Sequence, residues 1–547
     1  MAGTLVMGLV ACGNPDTKLT TGSDNTTAGE VETTVGGTEA GTTEESTTGV
    51  AEITYPLEGA PKLTLWSVAN KLASTYTTYT ESPHHMGLQT NTGVEVEWQF
   101  PAQGAKNAEA FATMMTEDVL PHMISYNALT IADMAILEAD GAIWDLTDYI
   151  PEYAPDYWAY LNSNPERLKS VKSDDGRIYA IDTFNEGDYN LTYTGPVIRQ
   201  DWLDECGLQT PVTLEDWEKV LVAFKDKYGA VLGFAKSRYG AGIASGTGAY
   251  ASLNATLYVD ENNKIKLGNM DVEWKEMLEV LHKWFDMGLI DEDSFTMNDK
   301  TARSKVLENK YGVAFTSMAQ LTNWIKDAEA QATGANWIPL DHARTAAGEP
   351  TTLIQSGALK TGVVTMITTT CSEEEMIAAL KWLNYGYTEE GIMYKNYGTL
   401  GETYTLDADG KPQFTETLTN DPDGLSIAYT KYLGTTSTPM ATIQAEYLVK
   451  LKNDPRSAEA PYIWTENTIY TERKFIDSYL SRTDDEQIVI TDVYAPIQTY
   501  ISEMALKFIM GEESLDKFDA FVAELEKMGI NDVLKVQQAA YDRYLAR

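Results

Sequence analysis

Val197 to Gly229, VIRQDWLDECGLQTPVTLEDWEKVLVAFKDKYG, is the stretch whose reading decides the fold. Val197-Ile198 reads as the end of a short buried strand. Asp201-Trp202-Leu203 opens a brief turn closed by Gly207, and Pro211-Val212-Thr213 launches a helix. Thr213 stands three residues before Asp216, an N-cap pattern in which Asp is a weaker partner than the Glu or Gln of a full capping box. Leu214, Trp217, Leu221, Phe224 and Tyr228 recur every three or four residues and share one helical face, which Gly229 ends.

The same alternation extends toward the N-terminus. Leu63-Thr64-Leu65-Trp66 reads as a first strand, Val94 to Phe100 as a half-buried strand, Ala105 to Val119 as a helix, and His122 to Tyr126 as a further strand. Strand–helix–strand–helix order indicates an α/β lobe with a mostly parallel sheet. Toward the C-terminus, Glu273 to Met287 is a helix with Trp274, Met277, Leu278, Leu281 and Phe285 on one face and Gly288 as its stop. Ser372 opens a helix with Glu375 at N3, a good capping box, followed by Ile377, Leu380 and Leu383. In the tail, Ser514 is the N-cap, Leu515, Phe518, Val522 and Leu525 form the buried face, and Gly529 is the stop.

A chain of 547 residues is too long for one core. Its net charge is −40; eight acids and one Lys between Gly13 and Thr54 account for −7 of this, leaving about −33 on the rest. So acidic a body disfavours nucleic acid and phosphate-rich partners, which it would repel. It suits neutral or weakly charged ligands. The three cysteines, Cys12, Cys206 and Cys371, have no metal-knuckle or CxxC spacing.

Leu5 to Cys12, LVMGLVAC, is a short apolar run that matches the lipobox of bacterial lipoprotein signals, in which the Cys thiol carries the lipid. The basic segment usual before such a run is missing, the first Lys being Lys18. Gly13 to Thr54 is rich in Thr, Gly, Glu and Ser and has no aromatic residue, so a flexible tether is expected over 13–55.

Four stretches besides 197–229 carry a family resemblance: GRIYAIDTFNEGDYNLTY (176–193), KYGVAFTSMAQLTNWI (310–325), NYGTLGETYTLDADGKP (396–412) and the tail 508–544. Together they resemble the extracellular solute-binding proteins of family 1, the capture subunits of ABC importers, and most of all the LipO-like lipoproteins of Gram-positive bacteria. The resemblance implies an α/β, two-lobed, periplasmic-binding-protein-like fold of type II. Its lobes would be joined by a three-segment hinge, with a helical C-terminal extension. It places 56–183 and 340–396 in the N-terminal lobe and 184–339 and 397–547 in the C-terminal lobe. The crossings fall in 176–193, at ANWIPL (335–340) and within 396–412.

The function implied is capture of a carbohydrate, an oligosaccharide, by hinge closure, without turnover and without cofactor or metal. The protein would act as a lipid-anchored monomer on the outer face of the membrane, lipidated at Cys12 and serving ABC permease subunits. A surface glycoside hydrolase, or a peptide- or signal-binding lipoprotein of the same fold, are the alternatives.

A sugar cleft needs flat aromatic faces and planar polar groups. Trp66, Ser67, Asn70 and Lys71 follow the first strand, where open α/β sheets bind ligands, and match the sugar-contacting loop of maltose-type binding proteins. Against this stands ordinary packing for the aromatic. Tyr126 and Asn127 end another strand of the same lobe. Glu186 and Asp188 lie by the first crossing, where a carboxylate accepts two sugar hydroxyls or simply meets solvent. Tyr239, Ser317, Trp337 and Tyr397 come from stretches resembling cleft-lining positions. Trp217, Trp274 and Trp382 lie in helical patterns and read as packing.

Catalytic signals are sparse. GxSxG, HExxH, GxxxxGKS and GxGxxG are absent, although a glycosidase pair could hide among so many carboxylates. His84-His85 reads as a solvent-facing doublet on a polar loop. Asp407 to Gly410, DADG, reads as a turn rather than a calcium loop. Arg199 and Asp201 read as an internal pair bracing their turn. Cys206 and Cys371 fall in opposite lobes, so no disulfide joins them.

Overall fold

In the computed structural model, Thr194–Arg199 is a strand buried at every position, and helix Gln200–Cys206 follows it directly. Gly207 closes that helix at φ +65°, a left-handed conformation that suits a residue without Cβ. Helix Leu214–Tyr228 then opens on a complete capping box. Thr213 Oγ1 accepts from the Asp216 N–H, and the Asp216 carboxylate accepts from the Thr213 N–H. The short Asp side chain therefore closes both halves. Trp217, Val220, Leu221 and Phe224 are buried, while Tyr228 stacks on Trp202 with ring centroids 4.1 Å apart.

The structure describes residues 52–68, 76, 79–102, 105–127, 129–186, 194–234, 256–260, 262–344, 351–356, 360–422, 425–434, 439, 442–444, 454–466, 468–475 and 480–547. Cys12, Asn70, Lys71, Asp188 and Tyr239 lie outside them, as does nearly all of the expected tether. No helix of the described residues is long and apolar enough to cross a membrane.

The first sheet has six strands in the spatial order β15 (Thr442–Gln444), β4 (Ala180–Glu186), β12 (Lys360–Ile367), β3 (Met123–Tyr126), β1 (Leu63–Ser67) and β2 (Val96–Gln99). Among these only β12 runs against its neighbours. The second sheet has four strands, β10 (Trp337–Pro339), β5 (Thr194–Arg199), β9 (Tyr311–Ser317) and β6 (Val231–Phe234). A third joins β11 (Thr351–Ser356), β16 (Thr468–Phe475), β7 (Leu257–Val259) and β8 (Ile265–Leu267), and β13 (Tyr404–Leu406) forms a hairpin with β14 (Pro412–Phe414).

The first and second sheets carry separate cores. One gathers Leu63, Leu65, Met123, Ile181 and Ile367 with Trp382 and Tyr157. The other gathers Ile198, Leu232 and Val313 with Trp217, Trp274 and the closing helices. On helix Val272–Asp286, Trp274, Met277, Leu278, Leu281 and Trp284 are buried, and Phe285 is only half-buried. Of the expected tail face, Phe518 and Leu525 are buried, and Phe521 stacks on Trp274 at 5.4 Å. The Ser372–Glu375 box is complete. Cys206 and Cys371 are free thiols, the first beside the second core and the second within the first.

Two expectations need correction. The third crossing does not fall within 396–412. That stretch turns back on itself as the β13–β14 hairpin, because Asp407 Oδ1 accepts from the N–H groups of Asp409 and Lys411 and closes a turn. Tyr397, Tyr404 and Phe414 then cluster, with Tyr397 centroids 5.7 and 5.6 Å from the other two. Asn396 donates to the Thr442 carbonyl at 3.0 Å, and β15 pairs with β4. The described residues between Tyr397 and Gln444 therefore pack with the first sheet rather than the second. The His84-His85 doublet is also not solvent-facing. It lies in helix Pro83–Thr92, with His84 stacked on Tyr394 at 5.3 Å and His85 edge-on to Trp98 at 4.6 Å.

Candidate functional site

Strand register decides which residues share an edge. β12 runs against β3 and β4, with Val364 opposite Tyr126 and Lys360 opposite Phe184, so its start lies beside their ends. β1, β2 and β15 end at the same border. One edge of the first sheet thus gathers Ser67, Gln99, Tyr126, Glu186, Lys360 and Gln444. In the second sheet, Thr194 pairs with Ser317 and Phe234 with Phe315, so the start of β5 joins the ends of β9 and β6. The chain runs from Glu186 on one edge to Thr194 on the other, and returns from Pro339 to Lys360. Seven residues intervene in the first passage, a reach of at most about 28 Å. Each border gathers carboxyl ends of strands, the place where open α/β sheets take their ligands.

On the first border, Trp66 and Tyr126 are 5% and 4% exposed. Both rings pack on Phe111, Tyr126 in a stack at 4.5 Å and Trp66 at 6.1 Å, under helix Asn107–Met114. Burial raises the Tyr126 phenol above its ordinary range. Asn127, next along the chain, is exposed. Ser67 pairs in register with Ser125, and Ser125 with Thr365, so three buried hydroxyls form a row across the sheet.

Deeper in this border lies an ion pair that sequence reading did not single out. Lys360 Nζ sits 2.9 Å from the buried Asp182 with only a tenth of its own side chain exposed, and donates also to the Ser170 carbonyl at 2.9 Å. Burial pushes the Asp182 carboxyl up, against the pull of Lys360. Glu186 is held by Arg167 at 2.7 Å and by the Tyr160 hydroxyl, and Arg167 covers the Tyr160 ring at 4.0 Å. The carboxylate at the first crossing is thus anchored and about one-third exposed.

On the second border, Ser317 caps helix Met318–Ala330, its hydroxyl accepting from the Gln320 N–H. Trp337 is buried against Trp324 at 5.4 Å, with Arg199 at 5.8 Å on its other side. Arg199 grips Asp201 through two bonds of 2.8 and 2.5 Å, the bracing pair expected for this turn. Tyr397 belongs to the aromatic cluster beside the hairpin. The first border therefore carries Ser67, Tyr126 and Glu186, with Asn127 next along the chain, and the second carries Ser317, while Trp337 and Tyr397 lie in packed clusters. Among the described residues, no group of three or more His, Cys, Asp or Glu is placed to hold a metal.

No protein-family model matches the chain. Over 529 residues it is 23% identical to the fructooligosaccharide ABC transporter substrate-binding protein FusA of Streptococcus pneumoniae, covering 90% of this chain and 92% of that one. It is 25% identical over 476 residues to lipoprotein LipO of Bacillus subtilis, covering 83% of this chain and 88% of that one. Over most of its length this chain is thus similar to ABC-transporter substrate-binding proteins and to LipO. Its fold agrees. The crystal structure of the alginate-binding protein AlgQ2 without calcium ion aligns over 90% of this chain and 100% of that chain, with a TM-score of 0.69 at 21% identity. The two sheets are accordingly the two lobes of that fold.

Proposed function

We propose that this protein captures an oligosaccharide between its lobes and delivers it to ABC permease subunits without chemically altering it. The observation that carries the reading is the pair of strand-end borders joined by a first crossing of seven residues, in a chain similar over nine-tenths of its length to a fructooligosaccharide-binding subunit. Ligand favours the closed arrangement because only there does it touch both borders, and differential affinity shifts the population. Hinge closure of this kind is a known mode of two-lobed binding proteins.

Asn127, Glu186, Ser67 and Ser317 are the described polar groups assigned to sugar hydroxyls, together with Asn70, Lys71, Asp188 and Tyr239. Trp66 and Tyr126 stand at the same strand ends and are assigned to the apolar face of a sugar ring. Trp337 and Tyr397 are assigned to the backing of the cleft. Glu186 suits its part because Arg167 and Tyr160 fix its carboxylate while a third of it stays open to solvent. Lipidation at Cys12 would hold a monomer at the outer face of the membrane.

Calorimetric titration against a panel of oligosaccharides tests the reading, with unrelated peptides as the second arm. Saturable binding of at least one oligosaccharide, with the sugar recovered intact, is expected. Binding of peptides alone, or release of a cleaved product, overturns it. A ligand of the native state also raises the melting temperature by mass action.

A further inference from the structure

The last helix, Ile530–Ala546, belongs to the second lobe by its core. Ile530 and Val533 pack with Trp274, and Tyr541 and Tyr544 pack with Val259 and Ile265 of the third sheet. The far end of the same helix reaches the first lobe. Arg543 donates through Nε to Asp174 at 2.7 Å while its other nitrogens hold Glu486 at 2.9 and 2.5 Å. Arg547 donates to Asp174 at 2.6 and 3.0 Å and to the Lys169 carbonyl at 3.3 Å. The Tyr544 hydroxyl donates to Glu166 at 3.0 Å.

Glu166 and Lys169 lie on helix Pro165–Val171, whose Arg167 holds Glu186 where β4 leaves for the second lobe. A polar seam between the lobes therefore runs beside the first crossing and outside the residues assigned to the ligand. Two features separate it from a static contact. Its cross-lobe carboxylate is solvent-accessible, Asp174 and Arg543 keeping 27% and 32% of their side-chain surface exposed. Arg543 also keeps Glu486 within its own lobe, so moving Asp174 away leaves the guanidinium paired rather than stranded.

We propose that this seam is a conformational latch: Arg543, Tyr544 and Arg547 engage Asp174 and Glu166 in the lobe arrangement described here, and so set how much of the ligand-free protein occupies it. The latch rests on the capture reading in one respect, that the lobes move on their crossings. Partly exposed ion pairs of this kind shift an equilibrium by about two- to fivefold each and weaken as salt screens them.

Asp174→Asn removes the cross-lobe charge shared by Arg543 and Arg547 and leaves Arg543–Glu486 intact; Arg543→Gln, which keeps Arg547 on Asp174, is the second. Spin labels at exposed Val119 and Val272, one on each lobe, report the interlobe distance without ligand. Each variant is expected to move the distance distribution away from that of the wild type. The double variant should move it no further than Asp174→Asn alone, because Arg547 still holds Asp174 when only Arg543 is changed, and high salt should move the wild type the same way. Affinity for the bound sugar then changes by about two- to fivefold, upward if the latched arrangement is the open one and downward if it is the closed one. Distributions that superimpose for the wild type and both variants overturn the latch and leave capture standing. Failure of every oligosaccharide to bind overturns capture, while the ligand-free distances still decide the latch.

Discussion

The two lobes enclose different kinds of side chain. The second buries aromatic and aliphatic groups, with Trp217, Trp274, Trp284, Phe315 and Phe508 in one continuous cluster, and keeps pairs such as Arg303–Asp327 partly in water. Among the described residues the first encloses more ionisable groups, Asp182 against Lys360, and His84, His85 and Lys395 beside Tyr394, where the second buries Arg199 and His342. Burial takes Lys395 down to about 7 and His85 to about 3. A lobe held by apolar burial is nearly indifferent to pH and to loss of a single charge, whereas one that encloses charges is neither.

The sharpest way to break this contrast is to remove one charge from each lobe. Lys360→Met leaves Asp182 buried without its cation and should cost about 3–5 kcal/mol in chemical denaturation. Asp182→Asn added to it should restore much of that loss. The matching change in the second lobe, Arg303→Met, should cost about 1 kcal/mol or less, since water reaches that pair. Equal losses in the two lobes would erase the distinction. Truncating the apolar side instead, Trp274→Ala, should cost about 3–5 kcal/mol and show little dependence on pH.

The pH dependence sharpens the same point. Burial holds both histidines below their ordinary range, with the neighbouring His85 and Lys395 adding to the effect at His84. An unfolded His binds its proton near pH 6.5, about where the folded lobe still refuses one. The unfolded chain therefore takes up more protons as pH falls, and stability is lost from about pH 6.5 down toward about 3. Asp182 works in the opposite sense, because its raised folded pKa favours the folded state as acid is added. His84→Phe keeps the stack on Tyr394 and should flatten the acid slope in denaturation series run across that window. An unchanged slope would show that these histidines are not what makes the first lobe sensitive.

The smallest effects should be alike in the two lobes. Thr213→Ala in the second and Ser372→Ala in the first each remove a complete capping box, and each should cost about 1 kcal/mol in thermal melts.

What could be read along the chain was whatever a short stretch dictates. The strand at Leu63, the helix faces at Trp217 and Trp274, both capping boxes and the Arg199–Asp201 brace all involve partners within one element or one turn. The misplaced features depend on partners far apart. Asp182 and Lys360 meet across neighbouring strands though 178 residues separate them in the chain. His84 is polar in composition but buried, because Tyr394 stacks on it from another helix. The segment after Tyr397 resembled a crossing until the Asp407 turn folded it back and β15 paired with β4.

By itself, then, the sequence determined the elements and their alternation, because periodicity, caps and chain-local motifs carry that information in a few consecutive residues. Only the tertiary structure decided which strand ends share a border, which carboxylates are anchored and which lobe encloses charge. Those follow from strand register and from the packing of distant segments, where desolvation acts on a group according to what the rest of the chain places around it.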